Sequence, residues 1–66
     1  MNLPKLKGVI RERGKNYIQC SKAIGKSVAS FNSKINGKTN FDIVELEDLG
    51  NFLKMTDDEK IEIFLH

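Results

Sequence analysis

The sequence GKSVASFNSKINGK, residues 25–38, predicts one short helix between two glycines. Ser27 is a typical N-cap residue, because its hydroxyl can accept a hydrogen bond from a free N–H group of the first turn. Gly37 suits the left-handed conformation that ends many helices. Phe31 and Ile35 recur at helical spacing, which predicts that one face of this helix is buried.

A second short helix is expected immediately upstream, at residues 17–24. Asn16 would cap its N-terminus, and Cys20 would lie on its inner face. Gly25 ends this helix, and the helix at residues 28–36 begins a few positions later. Two short helices joined by a tight turn that contains glycine must cross steeply, which is the arrangement of a helix-turn-helix unit.

Local signals predict three further helices. The first, residues 4–13, begins at a proline, whose missing N–H costs nothing in a first turn. Asp42 with Glu45, and Thr56 with Glu59, have the spacing of capping boxes and begin the fourth and fifth helices. No segment alternates as a strand does, so we expect one all-α domain of five helices over the whole chain, residues 1–66. The expected inner faces of the last two helices are Ile43, Leu46, Leu49 and Leu53, and Ile61, Phe64 and Leu65.

The charge of the chain is divided between its two parts. Residues 1–40 carry nine Lys and Arg against one acidic residue, whereas residues 41–66 carry two Lys against eight acidic residues. This split predicts a positively charged surface for a polyanion such as nucleic acid. The alternative is a solvated surface with an accidental bias.

The composition points away from a membrane protein and from an enzyme. No apolar run approaches the ~20 residues of a membrane helix, and the N-terminus lacks a signal peptide's apolar core, which predicts a cytoplasmic location. Cys20 is the only cysteine, so we expect no disulfide within the chain and no cysteine metal cluster. No nucleophile–base set and no metal-ligand spacing occurs, so we expect no cofactor, metal or small-molecule substrate. His66 is expected to have no chemical role.

The segment from residue 25 to residue 41 resembles the Cro and repressor helix-turn-helix family of temperate phages and bacteria. Members of that family often carry the run F-x-x-K-[LI]-N-G-K after a glycine and a serine cap. The preceding KNYIQCSKAIGK, residues 15–26, is similar to the family's first motif helix. The matching residues of the later segment are Gly25, Ser27, Ser30, Phe31, Lys34, Ile35, Asn36, Gly37, Lys38 and Phe41.

The resemblance implies a compact, five-helix, lambda-repressor-like domain with its helix-turn-helix at about residues 16–37. It also implies a small Cro-like bacteriophage protein that regulates transcription and lysogeny in the bacterial host. Such a protein would bind double-stranded operator DNA as a homodimer. The residues that the resemblance places against DNA phosphates are Asn16, Tyr17, Ser27, Asn36, Lys38 and Asn40. For Ser27 the alternative is a capping role alone.

Small side chains on the exposed face of the helix at residues 28–36 suit a helix that lies in the major groove. They allow a close approach to the base edges, and Asn can pair bidentately with N6 and N7 of adenine. Serine can bond to either kind of base pair, and a small apolar side chain can contact a thymine methyl. The candidate base-reading residues are Val28, Ala29, Asn32 and Ser33. For Asn32 the alternative is a solvated helix face.

A second hypothesis is a modulator protein that binds a partner repressor instead of reading DNA itself. The helix at residues 28–36 has few long polar side chains, and Val44, Phe52 and Ile63 fall outside the main apolar arcs of their helices. These three residues would then form an exposed interface. The same residues could instead form a homodimer interface or pack within the domain.

Overall fold

Side-chain caps place the start of every helix in the computed structural model, which describes residues 1–65. His66, for which the sequence predicts no chemical role, lies outside the described residues. The expected caps Asn16, Ser27, Asp42 and Thr56 each accept a hydrogen bond from the backbone N–H three residues on. Asn2 does the same for the first helix. The helices are α1 (Leu3–Glu12), α2 (Tyr17–Ala23), α3 (Val28–Ile35), α4 (Ile43–Phe52) and α5 (Asp57–Phe64).

The prediction of an all-α protein with five helices is confirmed, and residues 1–65 contain no strand. The bounds differ from the expected ones by single residues, since α1 begins one residue earlier and α3 ends at Ile35. The described chain has a radius of gyration of 10.5 Å. No helix within it is both long enough and apolar enough to cross a membrane.

One hydrophobic core joins all five helices, with α2 packed on α3 and α4, and α1 packed on α5. Phe31 is fully buried at its centre, with its ring centroid 5.3 Å from that of Tyr17 and 5.8 Å from that of Phe41. Edge-to-face and tilted arrangements at these separations are favourable for aromatic rings. The predicted burial of Phe31, Ile35 and Cys20 is confirmed.

The predicted inner face of α5 is wrong at two of its three residues, since only Phe64 packs against the core. Ile63 is completely buried, although we expected it on an exposed interface, whereas Ile61 and Leu65 are 53% and 78% exposed. α5 packs on α1, and the backbone N–H of Asn2 donates to the carbonyl oxygen of Ile63 at 2.8 Å, which ties this end of α5 to the N-terminal region. Glu59, one turn before Ile63 on the same face, bonds to the side chain that follows α1.

The first turn of α4 also differs from the prediction. Ile43 is 81% exposed instead of buried, and Leu46 is only half-buried. Glu45 takes the inward position instead and is 3% exposed. An acidic side chain can occupy that position because a lysine of α3 lies against it, a contact that no local pattern in the sequence reveals.

Candidate nucleic-acid interface

The turn between α2 and α3 is closed by backbone hydrogen bonds. Gly25 has a φ of +70°, a conformation that side chains with a Cβ rarely adopt. With the chain turned in this way, the N–H of Gly25 donates to the carbonyl of Lys22 at 3.1 Å, and the N–H of Lys26 donates to that of Ser21 at 2.9 Å. The last carbonyls of α2 are thereby paired, and α3 starts at a fixed position beside α2.

The outer face of α3 carries the four residues that the sequence predicts for base reading. Val28 and Ala29, in its first turn, are exposed, whereas Asn32 and Ser33 are half-buried. The carbonyl oxygens of Asn32 and Ser33 accept hydrogen bonds from residues after the helix. Among residues 1–65, the side-chain amide of Asn32 has no hydrogen bond, so its donor and acceptor remain free for a ligand.

The end of α3 lies close to α1. The Nζ of Lys7 donates to the Oδ1 of Asn36 at 3.2 Å, and the Nδ2 of Asn36 donates to the carbonyl of Asn32 at 2.9 Å. The Oδ1 and the Nδ2 of Asn36 therefore both have hydrogen-bond partners, and Lys7 is the charged donor at the end of α3. No local pattern of the sequence indicates this role of Lys7, because the two residues are 29 positions apart.

Lys7 also connects the end of α3 with the start of α2. It lines a basic groove together with Arg11, Lys15, Asn16 and Tyr17, and no acidic side chain lines it. Two of the predicted phosphate-binding residues are thus brought next to three cations.

The remaining predicted phosphate-binding residues lie at the start of α3 and in the loop after it. The Oγ of Ser27 accepts from the N–H of Ser30 at 3.1 Å, which confirms its capping role. Lys38 and Asn40 are exposed, and the side chain of Lys38 forms no ion pair within residues 1–65. Lys38 is held through its backbone N–H, which donates to the carbonyl of Ser33 at 2.9 Å.

Ion pairs divide the cations of the N-terminal part into two groups. Lys5 lies 3.5 Å from Glu62, Arg13 bonds to Glu12 and Glu59, and Lys34 bonds to Glu45. The guanidinium of Arg13 also helps to hold the pKa of Glu59 below its usual value, after the larger effect of the Thr56 N–H. The cations of residues 1–40 that have no ion pair within the described chain are Lys7, Arg11, Lys15, Lys22, Lys26 and Lys38.

Lys34 belongs to the cations that form an ion pair, although it is one of the residues that carry the resemblance to the Cro and repressor family. Its side chain is 14% exposed, and its Nζ donates to the Oε1 of Glu45 at 3.1 Å and to the carbonyl of Asn40 at 3.0 Å. The Oε2 of Glu45 is buried without a hydrogen-bond partner. This lysine is therefore neutralised inside the domain and contributes little to a field that attracts DNA.

Of the three residues predicted for a protein interface, the structure leaves one on the surface. Val44 is 62% exposed, whereas Phe52 is half-buried against the core, with the Nζ of Lys15 lying 5.2 Å from its ring centroid. Ile63 is part of the core. Three further apolar residues are exposed although their spacing predicts burial, namely Ile43, Ile61 and Leu65.

The described residues contain little that could support covalent or metal chemistry. Cys20 is fully buried, and its burial raises the pKa of the thiol to about 11, against a smaller opposing effect of Lys15. A thiol with that pKa is protonated at neutral pH and is a poor nucleophile. No group of three or more His, Cys, Asp or Glu side chains within residues 1–65 is placed to hold a metal ion.

Comparisons with known proteins give no relative from which a role could be taken. No family model matches the chain, and no match is found among curated proteins or among solved structures. The fold and the surface define an all-α, five-helix protein with unpaired cations beside α1, α2 and the end of α3.

Proposed function

We propose that this protein is a sequence-specific DNA-binding transcriptional regulator of the Cro type. In this proposal α2 and α3 form a helix-turn-helix within a lambda-repressor-like domain, and α3 lies in the major groove of operator DNA. The protein would act as a homodimer in the bacterial host cytoplasm or nucleoid. The observation that carries the proposal is the surface of the N-terminal part, which combines small side chains on the outer face of α3 with six cations that form no ion pair within the described residues. One of these cations, Lys7, contacts Asn36 directly after α3.

Base reading is assigned to the free polar groups and small apolar groups of α3. The amide of Asn32 can form a bidentate pair with adenine, in which its oxygen accepts from N6–H and its nitrogen donates to N7. Such a pair supplies about 1–3 kcal/mol of discrimination between bases. Ser33, Val28 and Ala29 add smaller contacts, so one protomer has modest specificity and two copies on a two-fold site are required.

Phosphate binding is assigned to both ends of the α2–α3 unit. Asn16 and Tyr17 lie at the start of α2, whereas Lys38 and Asn40 follow α3. We add Lys7 to this set, because its Nζ donates to the Asn36 amide and the residue lines the groove at the start of α2. Neutralisation of four to six phosphates by one protomer gives a slope of log K against log salt of roughly −4 to −5.

The deciding experiment is a titration of the protein against the intergenic DNA beside its own gene, at two salt concentrations. We expect saturable binding to a site with two-fold symmetry and half-sites about one helical turn apart. Lys38→Ala should reduce the salt slope by about 1 on operator and random DNA alike. Lys54→Ala, at an exposed lysine after α4, is the matched control and should leave the slope unchanged. Failure to bind any such DNA at low salt would refute the proposal.

A second candidate function is a modulator that binds a partner repressor. It is favoured by the exposure of Ile43 and Val44, and by the absence of long polar side chains at Val28 and Ala29 in the first turn of α3. Apolar side chains exposed together are typical of protein interfaces. Co-purification with a repressor, together with no DNA binding by the isolated protein, would favour this function over the first.

A further inference from the structure

A second groove adjoins the basic groove, at the place where α2 meets the end of α4. We call it the α2–α4 groove; its volume is about 380 Å³, and it is lined by Lys15, Gln19, Lys22, Ala23 and Phe52. Lys15 also lines the basic groove, so the two grooves meet at this residue. No acidic side chain of residues 1–65 lines either of them.

An aromatic ring holds Lys15 at the junction of the two grooves. The Nζ of Lys15 lies 5.2 Å from the ring centroid of Phe52, within the range of a cation–π contact. Lys15 is half-buried and forms no ion pair within the described residues. Its positive charge is therefore kept between the two grooves without being neutralised.

Four such cations follow one another from the end of α3 to the outer face of α2. Lys7 contacts Asn36 directly after α3, and Arg11 lies one turn further along the same face of α1. Lys15 precedes α2, and Lys22 lies at an exposed position of α2 itself. We call Lys7, Arg11, Lys15 and Lys22 the basic row.

No carboxylate of residues 1–65 forms an ion pair with the basic row. Glu12 is the one acidic residue among residues 1–40, and its Oε1 lies 2.8 Å from the guanidinium of Arg13. The described chain therefore supplies no anion for the row.

The proposed function uses only one end of this row. It assigns Lys7 to phosphate binding together with Asn16 and Tyr17, which line the same groove. The other three cations have no assigned ligand. Because cations bind phosphates without regard to base sequence, a row that continues from a DNA interface can bind further phosphates of the same duplex.

Nucleic acid and acidic protein segments are the two macromolecular partners that carry many negative charges. The basic row favours nucleic acid, because it begins at residues that the proposed function places against phosphates. A duplex bound to α3 needs no second partner in order to reach the row. An acidic protein would instead have to share Lys7 with that duplex.

We propose that the basic row binds the DNA backbone that flanks each operator half-site. Arg11, Lys15 and Lys22 each lie against a phosphate outside the bases that α3 reads, and Phe52 is a positioning residue that holds Lys15 in place. The inference rests on the proposed function, since it extends the same DNA site. Its consequence is that affinity depends on the length of the DNA as well as on the operator sequence.

The first test compares two duplexes that contain the same operator. The short duplex ends at the outer base pair of each half-site, and the long duplex continues for about one helical turn on either side. Lys22→Ala should reduce the slope of log K against log salt by about 1 for each protomer on the long duplex, and it should leave the slope on the short duplex unchanged. Fluorescence anisotropy titrations at several salt concentrations measure both slopes.

The matched control for Lys22→Ala is Lys5→Ala. It makes the same change in net charge at an exposed lysine that pairs with Glu62 instead of lining a groove. Both of its slopes should stay nearly unchanged. Circular dichroism verifies that each variant is folded.

Hydroxyl-radical footprinting of the long duplex gives an independent readout. The wild type should protect backbone positions outside the half-sites. The double variant Arg11→Gln/Lys22→Gln should lose that protection and keep the protection within the half-sites. The retained part of the footprint shows that the variant is folded and bound.

Phe52→Leu tests the positioning role of the ring. Leucine keeps an apolar side chain against the core but removes the cation–π contact with Lys15. Binding to the long duplex should weaken by roughly two- to fivefold, whereas binding to the short duplex should not change. An equal weakening on both duplexes would show that the ring acts on the fold and would overturn its assignment as a positioning residue.

The outcomes separate this inference from the proposed function. Binding of both duplexes with no effect of Lys22→Ala, or a footprint that ends with the half-sites, overturns the inference and leaves the proposed function standing. No binding of either duplex refutes both. Binding of poly-glutamate that Lys22→Ala abolishes, with an unchanged footprint on DNA, would assign the basic row to an acidic protein segment and overturn the inference.

Discussion

The Nζ of Lys34 lies 3.1 Å from the Oε1 of Glu45, and this ion pair joins α3 to α4. Lys34 belongs to α3 and Glu45 to the first turn of α4, and the lysine also holds the carbonyl of Asn40 in the loop between them. The same Oε1 accepts from the backbone N–H of Asp42 at 2.8 Å. One buried ion pair therefore fixes the end of α3, the following loop and the start of α4 relative to one another.

Replacement of Lys34 by Met should lower the free energy of unfolding by about 3 kcal/mol. The carboxylate of Glu45 would stay buried without its cation, and that loss is the main cost of breaking a buried ion pair. Urea unfolding followed by circular dichroism measures the change. Lys22→Met, at an exposed lysine without an ion pair, should change stability by less than about 0.5 kcal/mol.

The double variant Lys34→Met/Glu45→Leu tests whether the unpaired charge of Glu45 causes this loss of stability. It removes both charges, so it should recover a large part of the stability that the single variant loses. Equal losses in the single and double variants would mean that the charge of Glu45 is not what destabilises Lys34→Met.

Replacement of Asn32 by Ala should weaken binding to the specific operator by roughly tenfold or more, which corresponds to the loss of one bidentate base contact. Binding to random DNA should change little, because phosphate contacts supply most of that affinity. Fluorescence anisotropy titrations on both DNAs measure the two effects. Asn51→Ala, at an exposed position of α4, is the matched control; equal losses on both DNAs would exclude base reading by Asn32.

Two glycines with free space around them should respond to alanine in opposite directions. Neither Gly8 nor Gly25 has a side chain or backbone atom within 4 Å of an added Cβ. Gly8 lies inside α1, so Gly8→Ala should stabilise the protein by about 0.5–1 kcal/mol. Gly25 has a φ of +70°, so Gly25→Ala should destabilise it by roughly 1 kcal/mol or more. Thermal unfolding of both variants measures the signs, and a gain at Gly25 would contradict the turn geometry.

The pH dependence of stability should depend on Glu59. The N–H of Thr56 lies 2.9 Å from its Oε1, and the guanidinium of Arg13 bonds to the same oxygen. These contacts lower the pKa of Glu59 in the folded state, so its ionised form adds stability above the unfolded pKa of about 4.3. That stability is lost as the pH falls through the lowered folded pKa.

The stability difference between the wild type and Glu59→Gln should therefore be largest near neutral pH and should shrink below about pH 4. Urea midpoints at pH 7, 5 and 3 measure it. Asp48→Asn controls for the general effect of one removed acidic charge. A difference that stays constant over this pH range would contradict the role of the ionised carboxylate.

The sequence predicted the parts of the fold that depend on neighbours along the chain. The caps Ser27 and Asp42 and the buried pair Phe31 and Ile35 follow from spacings of three and four residues, and all are confirmed. The burial of Cys20 is also predicted correctly, since no neighbouring residue supplies a base that would activate its thiol. Local hydrogen bonding and helical periodicity were sufficient at these positions.

The errors occur where a distant element decides which way a helix faces. Ile63 of α5 and Leu65, which follows that helix, are both apolar, yet only Ile63 is buried, where α5 packs on α1. In the candidate site, Lys34 and Lys7 could not be distinguished by sequence, since both are lysines of the basic part. The structure neutralises the first with Glu45 and leaves the second beside Asn36.

The buried thiol of Cys20 allows the opening of the core to be measured by alkylation of the unmodified protein. With no exposed surface and a pKa of about 11, the sulfur can be alkylated only in molecules whose core has come apart. The rate of labelling by a maleimide, divided by the rate for a free cysteine peptide, then gives the population of opened molecules under native conditions. Stability can thus be followed at low protein concentration without denaturant and without an introduced cysteine.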